Sequence, residues 1–345
     1  MSRALDKSTR DALNDGDHEE AFDQIATVLL SETSGSLLEI ELLGYSHSLS
    51  PGTYFLQDGN AVAIPKLWLV QAFVHARRTF KTCKAKGPVL SDQTIRKATA
   101  VILLFDPEHL TAANTRKRIL EEALSRSEDS AALLMREKMF IDSLLTSRLH
   151  RHTKSPNLWS HRRWLMERYR EAGLAIDAAG DLRTVVFVSA ERHPRNYYAW
   201  CHARLLIGLL ESDDKTRTDA AVSTILGDTK RWCFGHHNDI SGWMFLLFLL
   251  EWCPAGVASV LSETMQLTES FRWRNESVWC FLRSMMLAAR VAGPQEEQFY
   301  SAWQAVRKDT QEDSQERRVL DGVSSWMQTY SAKKSPSQMA TMSVR

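Results

Sequence analysis

The tryptophans of this chain recur in one local context, and this recurrence limits the folds open to it. In three segments a residue that can cap a helix stands four positions before Trp, and Arg stands four positions after it. The segments are Ser155-Pro-Asn-Leu-Trp159-Ser-His-Arg-Arg163, Asn196-Tyr-Tyr-Ala-Trp200-Cys-His-Ala-Arg204 and Asn275-Glu-Ser-Val-Trp279-Cys-Phe-Leu-Arg283.

Two weaker copies share this spacing. One keeps the cap Asp239 and Trp243 but has Leu247 in the Arg position. The other keeps a cation but has Ala113 in the Trp position. The five Trp positions, which we call repeat positions, are 113, 159, 200, 243 and 279, and they lie 36 to 46 residues apart. A period of this length is typical of helical hairpins stacked as a solenoid.

The spacing within the motif has a physical reason. Ser, Asn or Asp at the first cap accepts a hydrogen bond from a free amide of the first helical turn, and Pro156 stands where its missing N–H is harmless. Trp then falls in the second turn, and the residue four later shares its face. We therefore expect the tryptophans to pack between hairpins, with Arg163, Arg204 and Arg283 beside them reaching neighbouring carbonyls.

Apolar residues recur at helical spacing before each motif, over 95–105, 133–145, 182–188, 221–226 and 257–267. Each motif helix therefore has a partner helix. The sequence predicts an all-α fold, a right-handed α-α superhelix of stacked helical hairpins that forms a crescent like that of tetratricopeptide (TPR) repeats.

The chain divides into three regions by pattern. Residues 1–90 predict a helical and loop region that leads into the array, with helices over 21–30 and 67–80 and a loop over 44–65. Residues 91–330 predict the repeat array, with motifs near 109–118, 155–164, 196–204, 239–247 and 275–283. The Ser- and Lys-rich residues 331–345 predict a disordered tail.

Composition excludes several function classes. The net charge of +1 gives no electrostatic reason to expect nucleic acid or an anionic membrane as partner. Five cysteines without a CxxC pair argue against a disulfide framework or a zinc site, and no metal site is expected. The sequence has no P-loop, GxSxG or HExxH motif, and no apolar run long enough for a transmembrane segment. The expected location is therefore cytoplasmic.

At this point the motifs carry a resemblance. The runs Lys154-Ser-Pro-Asn-Leu-Trp-Ser-His-Arg-Arg-Trp164 and His193-Pro-Arg-Asn-Tyr-Tyr-Ala-Trp-Cys-His-Ala-Arg204 resemble the α-subunit repeat of protein prenyltransferases, roughly Pro-Lys-Asn-Tyr-x-x-Trp-x-His-Arg-Arg. Thr111-Ala-Ala-Asn-Thr-Arg-Lys117 resembles the first copy of that repeat. Within the family, the likeness is to the repeat-containing α-like subunits of a third geranylgeranyltransferase type.

The resemblance implies a shared enzyme. Such α-subunits form a crescent around a catalytic β-subunit, which carries the zinc that activates the acceptor cysteine thiolate, so no cofactor is expected on this chain. The implied partner is the β-subunit of Rab geranylgeranyltransferase, with geranylgeranyl diphosphate shared between the subunits. The implied acceptor is a protein that already carries one prenyl group, such as a SNARE.

The resemblance also implies site residues, although no complete catalytic set. Lys154 falls on the family lysine that reaches across the interface to the prenyl diphosphate. Asn196 and Tyr197 fall on an Asn-Tyr pair at the mouth of the active site, where Tyr198 replaces a frequent His. Pro156 stands where the family has Tyr, so one wall of the pocket differs.

Two hypotheses follow. In the first, the chain is the α-like docking subunit of a heterodimeric protein geranylgeranyltransferase. In the second, it is a non-enzymatic TPR-like scaffold that binds a peptide or protein in its concave groove. An obligate α-subunit exposes a large apolar surface and is expected to be poorly soluble alone, whereas a scaffold is expected to be a clean monomer.

Overall fold

The computed structural model describes residues 18–31, 35–47, 49–50, 52–86, 91–126, 129–210, 215–288 and 293–331. By its internal contacts the chain divides into two compact units, Met1–Leu209 and Leu210–Arg345. Helices dominate both units, which confirms the predicted all-α helical repeat fold. Beyond Ser331, the predicted tail lies outside the described residues.

The first unit begins with helix α1, a small sheet and helix α2, and continues with three hairpins. Its N-terminal elements are α1 (His18–Leu29), β1 (Glu39–Leu43), β2 (Leu56–Asp58), β3 (Ala61–Pro65) and α2 (Lys66–Lys86). The hairpin elements are α3 (Asp92–Phe105), α4 (Leu110–Leu124), α5 (Ser130–Leu145), α6 (His150–Thr153), α7 (Pro156–Glu171), α8 (Ala178–Asp181), a π-helical turn (Leu182–Val186), α9 (Phe187–Arg192) and α10 (Tyr197–Leu209).

The predicted loop over 44–65 is wrong, because this segment contains two strands of a three-stranded sheet. The strand order is β1-β3-β2, with β1 parallel and β2 antiparallel to β3. Ile40, Val62 and Ile64 are buried, and the amide of Arg148 donates to the Ile40 carbonyl at 3.1 Å. The sheet is therefore attached to the second hairpin. Glycine and proline punctuate these short strands and hide their apolar alternation.

The second unit consists of three hairpins. Its elements are α11 (Lys215–Gly235), α12 (Ile240–Trp252), a 3₁₀ turn (Pro254–Gly256), α13 (Val257–Ser270), α14 (Glu276–Ala288), α15 (Pro294–Lys308) and α16 (Gln315–Ser331). The hairpin of α15 and α16 follows the fifth motif. In the described part of the chain no single helix meets the length and apolarity needed to cross a membrane; one bent pair, Ile240–Trp252 with Pro254–Ser270, meets them jointly.

The five motif helices bury the same six positions relative to the repeat position. These are the position itself, the residue before it, and the second, third, sixth and seventh residues after it. In α7 they are Leu158, Trp159, His161, Arg162, Leu165 and Met166. The same offsets are buried in α4, α10, α12 and α14. The burial pattern therefore confirms the register of all five repeat positions, including the weak copies at Ala113 and Trp243.

The four predicted caps are confirmed, and His109, which was not predicted as a cap, acts as one in the first motif. In every motif the residue four before the repeat position accepts a hydrogen bond from the amide of the residue just before that position. The donor–acceptor distances run from 3.1 to 3.3 Å. The capping residues are His109, Ser155, Asn196, Asp239 and Asn275.

The predicted role of Arg163 is wrong, because the buried arginine of this helix is Arg162. Trp159 lies at one edge of the buried stripe, so the residue three positions later falls inside the stripe and the residue four later falls beyond it. The Arg163 side chain is 66% exposed and pairs with Glu167 at 3.3 Å. Of the other two predicted arginines, Arg204 donates to the Trp200 carbonyl at 3.2 Å, and Arg283 stacks over the ring of Trp326.

Two buried arginines organise the interior of the first unit. Arg116 donates to both oxygens of Glu137, at 2.8 and 2.6 Å. Arg162 donates to Asp142 at 2.7 Å, lies 3.0 Å from Asp181 and contacts the ring of His202. Lys138 completes the second group, with its ammonium 2.9 Å from Asp142 and 2.7 Å from Asp181. Every carboxylate of these groups is thus paired with a cation, as burial of charge requires.

Arg162 and its neighbour provide a matched test of this register. Arg162→Ala should lower the free energy of unfolding by about 3–5 kcal/mol, because it leaves the buried Asp142 carboxylate with only Lys138. Arg163→Ala should change it by less than about 0.5 kcal/mol, because that side chain faces water. Urea unfolding of the full chain, followed by circular dichroism, measures both. Equal losses would show that the assigned helix face is wrong.

Candidate functional site

The backbone carbonyl of Thr153 holds the second and third hairpins together. It accepts hydrogen bonds from the Trp159 indole at 2.8 Å, the Ser189 hydroxyl at 3.0 Å and the Asn196 amide at 2.7 Å. All of these donors are buried. Because a buried carbonyl with three partners cannot shift without losing them, the backbone just before Lys154 is fixed.

The same relation recurs at other repeats. The carbonyl six residues before the repeat position accepts from the repeat tryptophan in the fourth and fifth motifs, His237 from Trp243 at 3.0 Å and Trp273 from Trp279 at 2.9 Å. In the first motif the corresponding carbonyl, Pro107, accepts from Asn157 of the next hairpin at 2.8 Å. Each of these carbonyls lies in the turn before a motif helix. It binds either the repeat tryptophan of that helix or residues at the start of the next motif helix.

Lys154 lies at the surface, directly after this fixed carbonyl and before the cap Ser155. The side chain is exposed, and it makes no hydrogen bond or ion pair with another residue of the described ranges. Its neighbour Thr153 is fully buried. The chain therefore presents an exposed ammonium group next to a buried, hydrogen-bonded backbone, an arrangement that suits a contact with an anion from outside.

Asn196 departs from its predicted place at the mouth of a site. It is 1% exposed, and its side chain is fully engaged: the oxygen caps α10 and the nitrogen donates to the Thr153 carbonyl and the Ser189 hydroxyl. Asn196 therefore keeps its predicted capping role, and a cap four residues before a buried Trp belongs to the interior. Tyr197 and Tyr198, by contrast, do lie at the surface, with Tyr197 67% exposed and their rings 5.6 Å apart edge to face.

Two histidines that sequence reasoning did not single out lie beside Lys154. The Nδ1 atoms of His150 and His193 are 2.8 Å apart, and the ring centroids are 4.7 Å apart at an interplanar angle of 87°. Partial burial, His150 and the Lys154 charge lower the pKa of His193 below its ordinary value. No spacing in the sequence indicates this pair, because it forms only when the turns of two successive hairpins meet.

The nearby arginines are engaged with carboxylates. Arg151 pairs with Asp106 at 3.0 Å. Arg148 and Arg192 both lie 3.7 Å from Glu39. Lys154 and the two histidines differ from these arginines. In the described region none of the three side chains forms an ion pair with a carboxylate.

One cavity of the first unit is lined by other residues. Its volume is about 780 Å³, and its lining includes Lys138, Asp142 and Asp181 with several methionines. None of the predicted site residues lines it. Within the described ranges, no group of three or more His, Cys, Asp or Glu side chains is placed to hold a metal ion.

The chain is also similar to several known proteins. Human protein prenyltransferase alpha subunit repeat-containing protein 1 is 30% identical over 186 residues, which are 48% of this chain and 40% of that protein. The alpha subunit of rat geranylgeranyl transferase type-2 is 27% identical over 146 residues, 41% of this chain and 24% of that subunit. The chain is therefore similar to proteins named for the prenyltransferase alpha subunit. The matched segment spans less than half the length of either relative.

A second line of similarity leads to ECM9. The profile of the ECM9 middle domain matches residues 158–275. Protein ECM9 of Saccharomyces cerevisiae is 26% identical over 211 residues, 60% of this chain and 53% of that protein. The profile match begins within the second motif and ends at Asn275, the cap of the fifth.

Buried histidines predict how acid affects the fold. Burial lowers the pKa of His161 to about 3 and of His152 to about 4, so the folded state keeps both neutral where the unfolded chain protonates them. The unfolding free energy should therefore fall as the pH drops below about 6.5, by up to about 1.4 kcal/mol per unit for each histidine.

The slope between pH 6.5 and 5.0, measured by urea unfolding, tests this. His161→Gln removes one titrating group and should make the slope shallower, whereas His47→Gln, at an exposed position, should leave it unchanged. If both variants keep the slope of the unchanged chain, His161 does not contribute to the acid sensitivity.

Proposed function

We propose that this chain is the α-like subunit of a heterodimeric protein prenyltransferase. In this proposal it docks a catalytic β-subunit of the Rab geranylgeranyltransferase type and positions a protein acceptor, such as a SNARE, for transfer of a geranylgeranyl group to a cysteine. The observation that carries the proposal is Lys154, an exposed and unpaired ammonium group held at the register of the second α-subunit repeat.

The chemistry explains why one lysine is useful on a subunit without a catalytic set. A thiolate attacks the carbon that bears an allylic diphosphate, and the zinc expected in the β partner favours the thiolate. The bond from carbon to the diphosphate oxygen breaks, and the leaving diphosphate accumulates negative charge that a cation stabilises. Lys154 can supply this charge because its stem is long, its base is fixed and its ammonium group has no ion-pair partner in the described ranges.

Two exposed apolar residues at the start of motif helices suit a protein partner. Tyr197 is 67% exposed, and Leu110 is 61% exposed. Both residues stand three positions before a repeat position, so they occupy equivalent places at the start of α4 and α10. Exposed large apolar groups at equivalent places in two repeats are typical of an interface.

Reconstitution tests the pairing. The full chain should form a stable complex when it is co-expressed with a Rab-type geranylgeranyltransferase β-subunit, and the complex should transfer a labelled geranylgeranyl group to a protein that carries one prenyl group. If the two chains separate on gel filtration and show no transfer, the proposed function is wrong.

Lys154→Ala tests the contact with the leaving group. The variant should assemble normally, because the side chain is exposed and makes no hydrogen bond or ion pair within the described part of the chain. Its transfer rate should fall by about 10–100-fold, the loss expected when one charge-stabilising contact is removed. Lys66→Ala, at another exposed lysine, is the matched control and should retain full turnover. Unchanged turnover in Lys154→Ala would exclude Lys154 from the site.

A non-enzymatic scaffold is the second candidate, favoured by the loss of Trp at Ala113. There the buried position is filled by Ala, and the Arg116 guanidinium lies 4.2 Å from the Phe140 ring centre. The register survives this change, so the fold does not by itself require a β-subunit. A scaffold should be a soluble monomer that retains a bound peptide, whereas the α-like subunit should purify with its partner.

A further inference from the structure

We propose that His150 and His193 form, together with Lys154, an anion subsite that binds a diphosphate group and a proton together. The inference rests on the proposed function for the source of the ligand, a prenyl diphosphate. The observations that carry it are the 2.8 Å Nδ1–Nδ1 contact of the two rings and the unpaired ammonium group beside them.

The contact fixes where protons can be. At 2.8 Å one Nδ1 must donate its hydrogen and the other must accept it, so the neutral pair holds one Nδ1–H between the rings. The accepting ring then carries its own hydrogen on Nε2, while the Nε2 of the donating ring is a free lone pair. A further proton binds at that free Nε2. The contact between the rings survives, and the pair becomes a cation with an N–H on each Nε2.

The surroundings of His193 disfavour its protonation until an anion arrives. Partial burial, His150 and the Lys154 charge lower the pKa of His193. The charged residues next to the histidines in the chain are Arg151, which pairs with Asp106, and Arg192, which shares Glu39 with Arg148. Each of these carboxylates already has an arginine partner, so neither is available to compensate a proton on the histidines.

An anion reverses this balance. A diphosphate placed against the Lys154 ammonium cancels the repulsion that Lys154 exerts on His193 and accepts a hydrogen bond from a protonated ring. Binding should therefore draw a proton onto the histidine pair, and by linkage the affinity should rise as the pH falls from 8.5 to 6.5. The product of the transfer, free diphosphate, would be held most tightly when the pair is protonated.

Calorimetric titration of the full chain with inorganic pyrophosphate tests the subsite without a β-subunit. Pyrophosphate also titrates in this range, so the readout is the ratio of dissociation constants between variant and unchanged chain at each pH. His193→Gln and His150→Gln should each weaken binding about tenfold at pH 6.5, the equivalent of one unit in pKa, and less than twofold at pH 8.5. Lys154→Ala should weaken binding at both values of pH.

His47→Gln is the control for a histidine outside the cluster, and its affinity should match that of the unchanged chain at both values of pH. Thermal unfolding of each variant shows whether it is folded; both cluster histidines lie toward the surface, so their melting temperatures should be retained. Histidine variants that bind as tightly as the unchanged chain at pH 6.5 would overturn the proposal, as would absence of millimolar pyrophosphate binding. Failure to pair with a β-subunit would instead overturn the proposed function alone.

Discussion

The hydrogen bonds on the backbone carbonyl six residues before a repeat position hold the turns of this structure in place. At Thr153 three buried donors from two hairpins converge on one oxygen. This oxygen therefore fixes the turn before α7. Lys154 and the cap Ser155 follow Thr153 directly, so their backbone positions are fixed as well. A repeat protein has no long-range contacts across its length, so such links between neighbouring hairpins determine how each pair stacks.

The two units use one register with different chemistry inside. The second and third residues after a repeat position are buried in both units. In the first unit they include Arg116, His161 and Arg162, which pair with buried carboxylates. In the second unit they are Phe245, Leu246, Phe281 and Leu282. Apolar residues stabilise by burial alone. The paired charges of the first unit contribute little net stability, but removing one partner is strongly destabilising.

Much of the fold follows from the sequence, because cap, Trp and period each have a local physical cause. The register of Ala113 was predictable from its neighbours alone. The burial of Arg162 could not be predicted in the same way, because Arg162 and Arg163 are adjacent and differ only in their angle around the helix. The strands of residues 56–65 were missed, since their pairing with β1 depends on residues distant in the chain. The His150–His193 pair, likewise, exists only through the stacking of two hairpins.

The central claim is that the edge with Lys154 and Tyr197 faces a prenyltransferase β-subunit. Photo-crosslinking tests it most directly: benzoylphenylalanine replaces Tyr197 in the full chain, expressed in its native cell, and mass spectrometry identifies the adduct. The same replacement at Tyr330, also exposed but in the second unit, is the control. The account predicts an adduct with the β-subunit at position 197. A β-subunit adduct at position 330 and none at position 197, or no such adduct at either position, would contradict it.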